Sequence, residues 1–150
     1  MSPSPADDSP ARGIMAVAEE LRKDCQRFQL SLVLLEREVD SGDDDECLRH
    51  LEKAGRLRQR ISQRAQALQQ RQADARRLSA AVKEALRRQV TQSQRLLVDS
   101  SETCAKLAER VSELHADLGE KLHAMRKGSK MLGSYKTHAC IAGGTYSSGA

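Results

Sequence analysis

Apolar or small residues recur along most of this chain in alternating steps of three and four, the spacing of one face of an α-helix. The longest such line is Val90, Ser93, Leu97, Ser100, Cys104, Leu107, Val111, Leu114 and Leu118, continued by Leu122 and Met125. An earlier line runs Ile14, Ala18, Leu21, Cys25, Phe28, Leu32, Leu35 and Val39, without a fault. A third takes Cys47 or Leu48, then Leu51, Ala54, Leu57, Ile61, Ala65 and Leu68. Three helices follow, the first two each about 40 Å long at 1.5 Å per residue.

The boundaries come from residues that end or start helices. Ser9-Pro10 suits a helix start, with the hydroxyl capping and Pro at the first helical position. Between Val39 and Cys47 stands Asp40-Ser41-Gly42-Asp43-Asp44-Asp45-Glu46. Gly42 suits a helix end, and the acids suit the positive end of the next helix, so the chain reverses here. From Gln69 to Arg77 no large apolar residue occurs. A turn at Gln72–Arg77 or an uninterrupted helix both fit. The turn is preferred, because single-domain helices seldom run so long, and Asp74 is available to cap a new start. Gly128 is read as the end of the third helix. The division expected is a disordered tail over 1–9, a helical domain over 10–136 and a flexible tail over 137–150.

Composition supports this all-α reading. The 150 residues include one Phe, two Tyr and no Trp, too few large rings to fill a compact globular centre. The fold expected is an elongated antiparallel three-helix bundle or coiled coil with a long third helix extending beyond a helical hairpin. No apolar run is long enough to span a bilayer, and the first ten residues lack the pattern of a signal peptide, which points to a soluble cytoplasmic protein. The scattered Cys25, Cys47, Cys104 and Cys140 read as reduced thiols, the first three on apolar helix faces.

Charge is unevenly spread. Residues 1–55 carry 7 basic and 13 acidic side chains, residues 56–95 carry 11 and 2, and residues 96–150 carry 7 and 6. The basic middle could face the acidic first third within one bundle or bind nucleic acid. Its scatter around the helix and its lack of aromatic residues argue against nucleic acid.

Candidate chemistry is sparse. Cys47 and His50 lie three apart, His138 and Cys140 two apart, and His115 and His123 eight apart. These pairs share no repeated spacing and no facing carboxylates, so no metal is expected. There is no phosphate-binding Gly-rich loop, and no nucleophile with a matching base, so the chain reads as neither an enzyme nor a cofactor carrier.

Length then supplies a functional expectation. A third helix from Asp74 to Lys127 is about 80 Å long, twice its supports. Running parallel to the first helix, it outgrows the hairpin at about Glu102. That leaves Leu107, Val111, Leu114, Leu118, Leu122 and Met125 uncovered, the mark of a protein-binding face or a dimer interface.

A family resemblance bears on that face. Leu32-Val33-Leu34-Leu35-Glu36-Arg37-Glu38 with its acidic turn, the Arg56-containing segment Leu51–Ile61, and Leu122 to Tyr135 with its Lys127-Gly128-Ser129-Lys130-Met131-Leu132-Gly133-Ser134-Tyr135 ending carry it. In these pieces, within Phe28–Lys136, the chain resembles the flagellar type III export chaperones of the FliT and, as second choice, FlgN families. The resemblance implies a cytoplasmic protein that binds the carboxyl-terminal helix of a late export substrate, a filament cap or hook-filament junction protein. Such a chaperone prevents premature assembly and delivers its client to the export apparatus. The binding face expected is Leu107, Val111, Leu114, Leu118, Leu122 and Met125, with Met131, Leu132 and Tyr135 at its end. The alternative is a structural coiled-coil protein that closes the same stripe by forming a homodimer through the third helix.

Overall fold

The computed structural model describes the backbone of residues 9–144 and the side chains of residues 10–134. It is all-α, with no strand among the described residues. Helix α1 spans Ser9–Ser41, α2 Asp44–Gln70, α3 Gln72–Ala75 and α4 Ala80–Gly144. Two units are distinguishable, Met1–Leu107 and Ala108–Ala150.

In the first unit the α1–α2 reversal falls where the sequence placed it. Gly42 adopts φ +77°, the left-handed conformation that glycine reaches without a Cβ penalty. Its amide bonds back to the Glu38 carbonyl at 3.0 Å, closing the end of α1. The Asp43 carboxylate then accepts a hydrogen bond from the Glu46 amide at 3.1 Å, capping α2, while Asp44, Asp45 and Glu46 occupy its first turn. The result is an antiparallel hairpin.

α1 buries Ile14, Ala18, Leu21, Cys25, Leu32 and Leu35 and half-buries Phe28 and Val39, the full stripe read from the sequence. α2 buries Ala54, Leu57 and Ile61. Its register differs from expectation at the amino end: Leu48 and Leu51 are exposed, while Cys47 and His50 are half-buried. Seven residues before Ala54 and Leu57 lie Cys47 and His50, and the helix keeps that face turned inward.

The turn at 72–77 is also present, in another form. α2 stops at Gln70, the single turn α3 follows, and α4 starts with the Ser79 hydroxyl accepting from the Val82 amide. Ser79, and not Asp74, supplies the cap. Arg71 folds over the start of α1, its guanidinium lying 2.9 Å from where a Cβ on Gly13 would stand.

The first part of α4 runs parallel to α1. Arg22 Nε donates to Gln89 Oε1 at 2.7 Å, Ser100 Oγ donates to Gln29 Oε1 at 2.7 Å, and Leu107 joins a cluster with Leu32, Leu35 and Ala54. Its buried line is Ser93, Ser100 and Leu107, with Leu96 and Thr103 half-buried. The serines are small enough to let helices approach closely, and each returns its hydroxyl to a carbonyl four residues back. Leu97 and Cys104, expected on the buried line, are exposed. Of the cysteines with described side chains only Cys25 is fully buried.

α4 does not stop at Gly128. It runs through Gly128 and Gly133 to Gly144, so the expected tail from 137 is helical that far. A glycine ends a helix only where it turns left-handed, and among the described residues only Gly42 has positive φ.

Candidate partner-binding face

Four side chains on α4 lie seven residues apart: Val111, Leu118, Met125 and Leu132. Seven residues make nearly two helical turns, so they share one line. All four are exposed, Leu118 by 58% and Met125 by 70%. Leu122 is exposed beside them, and Leu114 is half-buried. Within 111–132 the line carries no bulky ring, and its one methionine, Met125, is a flexible, polarizable side chain that adapts to the shape of a partner.

Two expected members of this face are elsewhere. Leu107 is 7% exposed and belongs to the core of the first unit, because the α1–α2 hairpin covers α4 five residues beyond Glu102. Met131 is exposed, but at about 100° per residue it stands a quarter-turn or more away from Leu132 and off the line. The Tyr135 side chain lies outside the described residues.

The later part of this unit is basic. From Lys121 to Ser134 there are four cations, Lys121, Arg126, Lys127 and Lys130, and no acid. The steps-of-four row Leu118, Leu122, Arg126, Lys130 turns away from the line, with Arg126 about 100° and Lys130 about 140° around the helix from Met125. His123, Arg126, Lys127, Ser129 and Lys130 line a depression in the surface. Glu113 is paired with Arg110 at 3.2 Å, and Glu113 and Glu120 share a seven-residue line with Lys127 on the far side of the helix, while Asp117 flanks the apolar line.

The basic middle of the chain faces two ways. Arg64 Nε reaches Asp24 Oδ2 at 2.8 Å and Arg64 also pairs with Glu20, so part of it neutralises the acidic first third within the bundle. Arg56, Arg87 and Arg88 pair with glutamates on their own helices. Arg58, Arg76, Arg77 and Arg95 are exposed.

No three His, Cys, Asp or Glu side chains converge on a metal position among the described residues. His50 lies 3.8 Å from Glu46, and His138 and Cys140 fall outside the described side chains. Burial and the Asp24 charge push the Cys25 thiol up to about 11, against a smaller opposing effect of a hydrogen bond with Ser93. Burial and the acids at the turn, Asp44, Glu38 and Asp43, also raise Cys47. Neither thiol is a poised nucleophile.

The heptad spacing was visible in the sequence. No described helix is long and apolar enough to cross a membrane. No family model, curated protein or solved structure matches this chain.

Proposed function

We propose that this protein is a non-enzymatic helical binding protein whose exposed line Val111–Leu132 receives an amphipathic helix of another protein. The observation that carries the reading is the exposure of Val111, Leu118, Leu122, Met125 and Leu132 on one side of one helix. Apolar side chains in such a row lose contact with water when a second amphipathic helix covers them. Earlier in the same helix Ser93, Ser100 and Leu107 pack against α1 and α2.

The resemblance to flagellar export chaperones supports a more specific form. The client is the carboxyl-terminal helix of a late export substrate, a filament cap or hook-filament junction protein, held in the cytoplasm and passed to the export apparatus. Co-purification of the full chain with such a client helix tests it. Leu118→Asp combined with Met125→Asp abolishes capture while circular dichroism stays helical. Undiminished capture by that folded variant rejects the face.

The strict seven-residue repeat also favours a second reading, closure of the line by a second copy in a coiled coil. Light scattering during size exclusion separates the two. A monomer accords with an open client face, and a dimer that persists at nanomolar concentration accords with self-association.

A further inference from the structure

We infer that the first unit holds a site for a single-chain anionic amphiphile, a free fatty acid, in an open trough between α2 and α4. The inference is independent of the partner-binding face. Buried Ile14 and Leu21 of α1 form the floor, and Leu68 of α2 and Leu86, Val90 and Leu97 of α4 form the apolar walls. Leu97 is exposed and Leu68, Leu86 and Val90 are half-buried, so apolar surface stays in contact with water along the trough. Where α2 gives way to α4, Gln72 and Ala75 of α3 line its end.

Width selects the occupant. From Leu86 to Leu97 the α4 wall is about 16 Å long, the reach of about 13 bonds of extended chain at about 1.2 Å each. A volume of about 430 Å³ spread over that length leaves a cross-section of about 27 Å², against about 80 Å² for a helix 10 Å across. One alkyl chain fits, and a helix does not. Apolar walls with a few polar side chains among them, here the amides of Gln69, Gln72 and Gln94, are the usual lining of a small-molecule site.

Charge selects the headgroup. No acid lines the trough. Lys83 stands seven residues before Val90 and fourteen before Leu97, on the same side of α4, at the end where Gln69 and Gln72 lie. It is exposed and takes part in no ion pair among the described residues. Glu84 stands 120° or more around the helix from Leu86, Val90 and Leu97 and is paired with Arg87 and Arg88. On α1, Glu20 and Asp24 pair with Arg64 and Glu19 pairs with Lys23. The connection at this end carries Arg71, Arg76 and Arg77 against one acid, Asp74. A carboxylate at Lys83 therefore meets net positive charge while its tail lies on the leucines.

The test is isothermal titration of the full chain with dodecanoate below its micelle concentration, beside dodecyltrimethylammonium, which has the same tail and the opposite charge, and butyrate, which has the head and little tail. Dodecanoate binds at one saturable site, at least about tenfold more tightly than either. Lys83→Glu closes the gap between the two dodecyl probes. Leu97→Asp, and separately Ala65→Phe, whose ring fills the trough from α2 without adding charge, each weaken dodecanoate at least about tenfold, while circular dichroism stays helical. Leu118→Asp in the second unit leaves dodecanoate binding unchanged. Equal binding of the two dodecyl probes overturns the anionic assignment. Absence of saturable dodecanoate binding, or binding that survives Ala65→Phe and is lost in Leu118→Asp, overturns the site. Binding of an amphipathic Leu–Glu helical peptide or of phosphatidylglycerol vesicles that Ala65→Phe removes, without binding of dodecanoate, also overturns the inference.

Discussion

Asp24 is wholly buried on α1, and three arginines surround it: Arg64 at 2.8 Å, Arg27 at 3.4 Å and Arg60 at 3.8 Å. Its Oδ2 has no well-aligned hydrogen bond despite the nearness of Arg64, so charge attraction carries the contact. Removing the closest counter-charge leaves a buried carboxylate with two weaker partners. Arg64→Ala is expected to lower stability in urea denaturation by about 2–3 kcal/mol. Arg60, half-exposed and farther off, costs under about 1 kcal/mol when truncated. The sequence showed that acidic and basic thirds could meet, but not that one carboxylate would collect three guanidiniums, because that depends on the hairpin register. The neighbouring Cys25 gives a second test. Its folded value near 11 lies above the ordinary thiol value of 9.0, so the stability it contributes is complete below pH 9 and declines as pH rises towards 11. Iodoacetamide at pH 8 is expected to label exposed Cys104 in the native protein and to spare Cys25 until denaturant is added, as read by peptide mass.

At the scale of the helix, local chemistry was legible where a residue type has one structural use. Gly42 with Asp43 marked a turn, and the structure uses both, one for its left-handed backbone and one for its capping carboxylate. Asp43→Ala is expected to cost about 1 kcal/mol in thermal denaturation. Gly128 misled because glycine permits a helix end without imposing one. With Lys, Met and Leu following, helix propagation proceeds at a cost of about 1 kcal/mol per glycine. Gly55 is a glycine inside α2 with open space around the point a Cβ would occupy, so Gly55→Ala is expected to raise stability by about 0.5–1 kcal/mol. The α1 stripe was readable because large apolar residues mark nearly every inward position. In α4 the inward positions include Ser93 and Ser100, and outward Leu97 and Cys104 look equally apolar on paper. Only the packing against Gln29 and Leu32 decides between them.

For the molecule as a whole, function follows from where burial stops. The core of the first unit is thin and mostly aliphatic, with Phe28 half-buried at its middle and Leu107 as the last fully buried side chain of α4 among the described residues. Beyond Leu107 large apolar side chains go on recurring at Val111, Leu118, Met125 and Leu132, and there they are exposed, which is the physical basis for a binding face. Sequence length predicted that cover would run out but placed the limit at Glu102, since it could not see Leu107 reach Leu32, Leu35 and Ala54. Two leucines on one helix therefore stand in contrast, and thermal denaturation of Leu107→Asp and Leu118→Asp, followed by circular dichroism, measures both. If cover ends at Leu107, Leu107→Asp lowers stability by about 3 kcal/mol or more, because a charge enters the core, whereas Leu118→Asp changes it by less than about 0.5 kcal/mol. Equal destabilisation by the two would mean that Leu118 is already covered in the free protein, and would contradict an open binding face.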